Sequence, residues 1–577
     1  MRHQQTDIAE FLEMKKFFEE NDESADLIAS CFPNMEQYEL FCGLKLNKDD
    51  LVHVDISRSS APIYLKTPQR PDWDYEETSQ VILSREAESF SKWRGAMREI
   101  EQNSSPSFCL YEKNIELWRQ LWRVTERCDF IMQVLDCRNP NAYRSLDLEE
   151  VIAEKNKMLI FVLNKADLIN EYQRTAWANY LRSKKRNFIF FASKTEGQTF
   201  SQTELAENGI SIPETKKKGR KTARLRGSVR YAIAENHDVP SNELAKPATD
   251  LSDEPVEFNL AEKQCSNRPE LLEHLRSILE KELSFFNSTQ VCTLAQVHIM
   301  LRTVERVKQR ISNRFSKKSA STNEAQGDTS SVDLLKAGLI GFPNVGKSSF
   351  FNSVINRKKA ATGARPGKTK YFQSMYLPGS DSIVLHDSPG MLFPSLSRSR
   401  SSALCEGKVC IQASKNHEQC LIEACKRLDL EAIEARYKIK IPDCKMSKAD
   451  EFVDALLTTY AYSRGHIGAF NQPLKTQAAL RILQDYVKGY LVYAAPPPME
   501  PHEYANILTI LKNSPTMDDA EKYEKVFKYI EETFIEKGLH GGPMASKARD
   551  FFINVELSPI EEQPYLLYEL YFNLRKC

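Results

Sequence analysis

Between an apolar run, Leu334 to Ile340, and a helix-like run, Phe350 to Ile355, the chain reads Gly341-Phe-Pro-Asn-Val-Gly-Lys-Ser-Ser349. The form G-x-x-x-x-G-K-S, with a strand before it and a helix after it, describes a backbone that wraps a phosphate group. Gly341 and Gly346 permit a close approach that a side chain would block. The amides from Asn344 and Val345 through Ser348 and Ser349 open the next helix toward an anion. Lys347 reaches the β and γ phosphates of a nucleotide, and the Ser348 hydroxyl is a ligand for Mg²⁺. A chance glycine-rich turn is the competing explanation, but it does not account for a strand and a helix flanking the motif in the required order.

A phosphate loop does not name the base. Asn164-Lys-Ala-Asp167 follows a second apolar run, Met158 to Leu163, and therefore lies at a strand end, where ligands gather in open α/β sheets. The Asp167 carboxylate can accept from both the ring N–H and the exocyclic amine of guanine, a pair of donors that adenine lacks. Asn164 and Lys165 complete the pattern. Alone, these four residues read as a solvated turn; beside the phosphate loop they favour GTP over ATP. Ala192-Ser193-Lys194 follows a third run, Phe188 to Phe191, where backbone amides would meet the guanine O6.

The order of the motifs is inverted. An ordinary GTPase places its phosphate loop first, whereas here the base reader at 164 precedes the loop at 341. The expected fold class is α/β, a circularly permuted P-loop GTPase domain with a mostly parallel sheet flanked by helices. Termini of such domains lie close together at the surface, so joining them and reopening the chain elsewhere is physically acceptable.

Two switch elements follow the loop. Thr369, in Arg365-Pro-Gly-Lys-Thr-Lys370, offers a hydroxyl that completes the Mg²⁺ shell while a γ-phosphate is present. Ile383 to Leu385 is a further strand, ending in Asp387-Ser-Pro-Gly390. Asp387 would hold Mg²⁺ through water, and the Gly390 amide would touch the γ-phosphate. Met391 stands where many GTPases carry a glutamine. A thioether cannot orient the attacking water, so Lys347, Thr369 and Gly390 remain as catalytic groups and unaided hydrolysis should be slow.

Length and charge set the surroundings. With 577 residues, 41% of them apolar, several domains with real cores are expected. Residues 1–110 form a helical and extended N-terminal arm that wraps the GTPase domain or meets a partner; the sequence does not decide which. Residues 111–194 and 331–396 are the two halves of the GTPase domain. Between them, 195–330 form a partly disordered insertion with helices, and its basic cluster, Lys216 to Arg226, suits RNA phosphates, an import signal or a solvated tail. Residues 397–498 read as a helical C-terminal domain with helices at Leu421 to Ala435, Ala449 to Tyr462 and Leu480 to Tyr493, and 499–577 as an extension of helix and loop. The formal net charge is zero, so nucleic-acid contact would need local patches. Thirteen cysteines without zinc spacing suggest reduced thiols. No apolar run of about 18 residues predicts a membrane span, and the N-terminus lacks a signal or transit pattern.

Taken together, Trp118 to Arg127, Asp136-Cys-Arg-Asn-Pro140, Asn164 to Asp167, Gly341 to Ser349, Pro366 to Lys370 and Asp387 to Gly390 resemble the circularly permuted ribosome-assembly GTPases. Arg70-Pro-Asp-Trp73 with Phe90 to Arg94, and Ile482 to Val487 through Pro496-Pro-Pro498, are similar to segments of the eukaryotic cytoplasmic large-subunit GTPase family. The resemblance spans about 62–194 and 333–498. It implies GTP/GDP and Mg²⁺ as cofactors and a precursor of the large ribosomal subunit, its rRNA and proteins, as partner. It further implies a cytoplasmic location with nuclear shuttling and hydrolysis linked to release of a nuclear-export adaptor. By resemblance, Asn344 occupies the position that holds K⁺ in potassium-activated GTPases. Three departures stand out: no basic extreme N-terminus, Ala192-Ser193 in reversed order, and Gly407-Lys-Val-Cys410 in place of a more apolar segment. The alternatives are a nucleolar or nuclear relative acting earlier in assembly, and a GTP-dependent binding module with negligible hydrolysis.

Overall fold

Continuous apolar runs bounded by polar turns are what a parallel sheet covered on both faces demands, and four of them become its strands. The computed structural model describes residues 63–74, 76–103, 108–193, 277–279, 283–320, 334–356, 373–397, 399–413, 416–425, 428, 430–442, 449–499, 501–512, 519–537, 568 and 572. The chain divides into two units, 1–199 with 269–577, and 200–268. The second unit lies wholly outside the described residues, and with it the basic cluster. The first 62 residues of the arm, Lys194 and Thr369 also lie outside them.

The central sheet contains β3 (Phe130–Asp136), β4 (Met158–Asn164), β5 (Asn187–Phe190), β6 (Leu335–Ile340), β7 (Gln373–Tyr376) and β8 (Ile383–Asp387), in the order β5-β4-β3-β6-β8-β7. All neighbours are parallel except β7 and β8. From β3 the chain winds outward to β5, returns to the centre as β6, crosses to the far edge as β7 and folds back as β8 between β7 and β6. That reversal between β3 and β6 makes a crevice at the carboxyl ends of the strands. Register brings Asp136 opposite Asn164 and Leu339 opposite Asp387, so the motif residues gather along one edge.

Helices cover both faces. α2 (Ile115–Arg127) is capped by Asn114 and buries Trp118, Leu121, Trp122 and Val124. It packs directly on β6 because Gly338 has no side chain; a Cβ there would lie 2.6 Å from Val124 Cγ1. α3 (Leu146–Glu154) follows β3, and α4 (Glu171–Ser183) begins in a capping box formed by Asn170 and Gln173. α5 (Leu294–Ala320) buries Val297, Leu301, Val304 and Ile311. Its Lys308 pairs with buried Asp129 at 3.0 Å, and its His298 ring bonds the Val354 carbonyl at 2.9 Å. This helix is part of the GTPase core, so the insertion is narrower than 195–330. α6 (Lys347–Ile355) follows the phosphate loop.

The described part of the arm, from residue 63 on, packs against the GTPase domain. β9 (Ser395–Ser397), just beyond the second switch, is paired antiparallel on one side with β1 (Ile63–Tyr64) and on the other with β2 (Phe108–Leu110). α1 (Ser79–Asn103) buries Phe90, Trp93, Met97 and Ile100. Extended residues between β1 and α1 are pinned by indole donors, Trp93 to the Lys66 carbonyl and Trp122 to that of Pro68, both at 3.0 Å. Buried Glu86 joins Arg70 and Arg119, each at 2.8 Å.

The C-terminal domain is helical. α7 (Arg400–Cys405), α8 (His417–Cys425), α9 (Leu430–Tyr437), α10 (Ala449–Arg464) and α11 (Lys475–Lys488) enclose a core that includes Leu421, Ile433, Leu456, Ala479, Ile482 and Leu483. The single helix expected over Leu421 to Ala435 is two, α8 and α9. α12 (Pro501–Lys512) and α13 (Asp519–Glu536) fold back toward α4: the Phe534 and Tyr172 rings meet edge to face, 6.0 Å apart. Among the described residues, no helix is long and apolar enough to cross a membrane.

Candidate nucleotide site

The two motif stretches, far apart in sequence, share one hydrogen bond network. Asn164, at the end of β4, donates from Nδ2 to the Val345 carbonyl at 2.9 Å. Its Oδ1 accepts from the backbone and hydroxyl of Ser193 at 3.3 and 2.9 Å. One buried side chain thus fastens the phosphate loop to both base-reading turns. Gly346 sits at φ +99°, and a Cβ there would lie 2.2 Å from Asn164 Nδ2, so the cradle closes only around glycine. Gly341, at φ +148°, is equally constrained: its Cβ would lie 2.5 Å from the Val134 carbonyl.

On the base side, Lys165 adopts the left-handed conformation and reaches Asp136 at 2.6 Å. Asp136 is buried at the end of β3 and also pairs with Arg138 at 2.7 Å. Burial alone would raise its pKa, but the charges and hydrogen bonds of Arg138 and Lys165 outweigh that and hold the carboxyl well below the usual carboxylate range. Asp167, in the short turn Ala166–Leu168, is exposed. Ala192 and Ser193 border the same turn, since the Phe191 carbonyl accepts from the Ala166 amide at 3.0 Å.

The phosphate side is different in kind. Lys347 is buried, and its ammonium donates to the carbonyls of Gly341 at 2.8 Å and Phe342 at 2.6 Å. Burial pushes its pKa down to about 8 against the partial support of Asp387. The Ser348 hydroxyl donates to Asp387 Oδ2 at 2.9 Å, while Asp387 Oδ1 is buried without a hydrogen-bond partner among the described residues. Desolvation raises the Asp387 pKa to about 6, against Lys347 and the Ser348 hydrogen bond. An orphaned carboxylate oxygen beside a serine hydroxyl, with a lysine parked on loop carbonyls, fits Mg²⁺ and a phosphate chain: Ser348 and Asp387 would hold the metal and Lys347 the phosphates. Gly390 lies over Lys347, and a Cβ there would sit 3.2 Å from Nζ and 3.0 Å from Pro343 Cα.

The family described as 50S ribosome-binding GTPase matches residues 336–447. The large subunit GTPase 1 homolog of chicken (Gallus gallus) is 30% identical over 458 residues, covering 75% of this chain and 68% of its own. The human homolog is 30% identical over 461 residues, covering 75% and 67%. This chain belongs to the large subunit GTPase 1 family. The zebrafish (Danio rerio) homolog, 29% identical over 448 residues, is covered over 66% of its length, and the chain spans about two thirds of the curated relatives it matches. Among solved structures, GNP-bound YlqF from T. maritima aligns over 65% of this chain and 94% of its own, at 14% identity and a TM-score of 0.31, too low to carry an argument.

In this member of the large subunit GTPase 1 family, the helical domain grips both sides of the site. The Arg138 guanidinium, besides holding Asp136, donates to the carbonyls of Tyr486 at 3.1 Å and Val487 at 3.2 Å, at the C-terminal end of α11. There it meets the negative end of the helix dipole. Its own carbonyl accepts from the Ala495 amide at 2.6 Å. On the phosphate side, Asn344 Nδ2 donates to the Gly407 carbonyl at 2.9 Å. Lys408 is buried against the rings of Phe342 and Tyr143, 5.0 and 5.5 Å from their centroids, and pairs with Glu406 at 2.7 Å. The Tyr143 hydroxyl donates to the Glu406 carbonyl. Neither Arg138 nor Lys408 is singled out by motif reasoning, although both lie in stretches that the sequence flags, Asp136 to Pro140 and Gly407 to Cys410. Met391 is buried beneath the loop, its amide donating to the Gly341 carbonyl at 3.3 Å.

Proposed function

We propose that this chain is a GTP-hydrolysing switch that acts on a precursor of the large ribosomal subunit. In this reading it works in the cytoplasm, with nuclear shuttling, and couples hydrolysis to release and recycling of a nuclear-export adaptor. Ribosomal action is supported by the family's name. The observation that carries the switch is the double grip of the helical domain: Asn344 to Gly407 on the phosphate side and Arg138 to α11 on the base side. Whatever the nucleotide does to the loop is thereby felt by a separate domain.

Bound GTP·Mg²⁺ supplies the substrate and the charge that neutralises its phosphates. With the nucleotide bound, Lys347 would give up two loop carbonyls for phosphate oxygens, Ser348 and Asp387 would hold the Mg²⁺, and the Thr369 hydroxyl would complete its shell. The Gly390 amide would face the γ-phosphate, and Asn164 keeps the loop seated on the base reader. Met391 offers no hydrogen bond to a water, so charge stabilisation must come from the ribosomal particle or from K⁺ near Asn344. An added arginine has an effect of roughly 10³–10⁵ in comparable enzymes.

The test is GTP turnover by the full chain in K⁺ and in Na⁺, with and without immature large subunits, using Lys347→Ala as the blank, together with adaptor release from the same particles. Particle-dependent turnover and release support the proposal. Fast turnover in Na⁺ without particles refutes the need for a trigger. GTP binding with no stimulated turnover favours a GTP-dependent binding module, the reading that Met391 keeps in view.

A further inference from the structure

Between α10 and α11 the chain makes a hairpin whose tip serves neither the core nor the nucleotide site. Ile467 bridges Pro473, the Leu474 amide donates to the His466 carbonyl at 2.9 Å, and that of Gly468 to the Gln472 carbonyl at 2.8 Å. The Tyr462 hydroxyl braces the tip by donating to the Asn471 carbonyl at 3.1 Å. At the tip, Phe470 and Asn471 both have φ of +58°, the pair of left-handed residues that a tight hairpin turn requires and that asparagine and glycine ordinarily provide. A bulky residue is strained there, and the Phe470 ring is 98% exposed. Folding gains neither backbone ease nor burial from this phenylalanine, so its use lies outside the fold.

Its surroundings indicate what it meets. From 455 to 484 the sequence has no Asp or Glu and contains Arg464, His466, Lys475 and Arg481. Asn471 and Gln472 are exposed at the tip, and Tyr462 is 45% exposed beside it. Beside the ring stand the exposed tip amides, the partly exposed Ile467, and cations at the ends of the flanking helices, of which Lys475 is paired with Asp454. A flat ring for stacking, amides for base edges and cations for phosphate are what an unpaired nucleotide takes. We propose that Phe470 is a stacking platform for an unpaired base of RNA in the large ribosomal particle. This deepens the ribosomal reading above and rests on it.

The experiment uses the full chain with a non-hydrolysable GTP analogue, co-sedimented with large ribosomal subunits. In Phe470→Gly the turn keeps its geometry without strain, so thermal stability should hold or rise and particle-free GTP turnover should not change. Particle affinity should nevertheless fall on the order of tenfold, the typical loss of one stacked base. Phe470→Trp should retain affinity, and a photo-crosslinking side chain at 470 should attach to rRNA. Equal particle affinity in Phe470→Gly overturns the proposal, as does attachment to ribosomal protein alone. Failure of the wild type to bind subunits would instead overturn the ribosomal function and this proposal with it, whereas wild-type binding indifferent to residue 470 overturns this proposal only.

Discussion

On the base side of the nucleotide site, Asp136, Lys165, Arg138 and Asn164 hold one another and the neighbouring backbone. On the phosphate side, Lys347 rests on two carbonyls and one oxygen of Asp387 has no hydrogen-bond partner among the described residues. Two buried groups of opposite charge, each penalised by burial, therefore wait on one side, while on the other Asp136 already has two countercharges. The base side behaves as structure, stable before any ligand arrives. The phosphate side is held away from its electrostatic optimum by the fold, and a bound phosphate with its metal relieves it.

Substitutions should separate the two sides. Lys347→Ala should lower particle-stimulated turnover by roughly 10²–10³ and yet leave the melting temperature of the nucleotide-free protein unchanged or higher. A large loss of stability in that variant would break the contrast. Arg138→Ala should act the other way, leaving Asp136 with one partner fewer and destabilising the protein by about 3–5 kcal/mol in urea unfolding without nucleotide.

Asp387→Asn sharpens the comparison through its sign. Because the native pKa is raised to about 6, the native state holds that proton more tightly than the unfolded chain. Stability then falls as pH rises through the window from about 4 to 6, and the full penalty applies above it. The variant should therefore gain about 1–3 kcal/mol over wild type near neutral pH, with the difference closing toward pH 4, while Mg²⁺-dependent GTP affinity drops. Thermal melts at both pH values check this. Asp136 carries the opposite sign: its depressed pKa contributes stability above the ordinary carboxylate range that is lost as pH falls below about 4. Unfolding from pH 5 to 2 should show a steeper loss in wild type than in Arg138→Ala, by about 1 kcal/mol for each unit that Asp136 moves back.

Much of the site is readable from sequence because its chemistry is contiguous. Gly341 to Ser349 and Asn164 to Asp167 each state their role within a few residues, and the apolar runs before them place them at strand ends. The permutation needs only the order of those two stretches. What escapes is long-range: nothing near Arg138 announces the α11 carbonyls, and Lys408 reads as a foreign residue until Phe342 and Tyr143 are seen around it. α5 looks like part of the insertion because it follows a low-complexity stretch, although its buried stripe from Val297 to Ile311 belongs to the core. Phe470 is ordinary in sequence; only its backbone angle and exposure set it apart.

Permutation also has a consequence for biosynthesis. The nascent chain delivers β3, β4 and β5 well before β6, yet β6 pairs along β3 and completes the middle of the sheet. At ~5–20 residues per second, synthesis from Phe190 to Leu335 takes on the order of ten seconds. Throughout that interval β3 has one hydrogen-bonding edge open. An apolar edge strand left unpaired is an aggregation hazard, so the half-made domain carries that hazard until its own centre arrives.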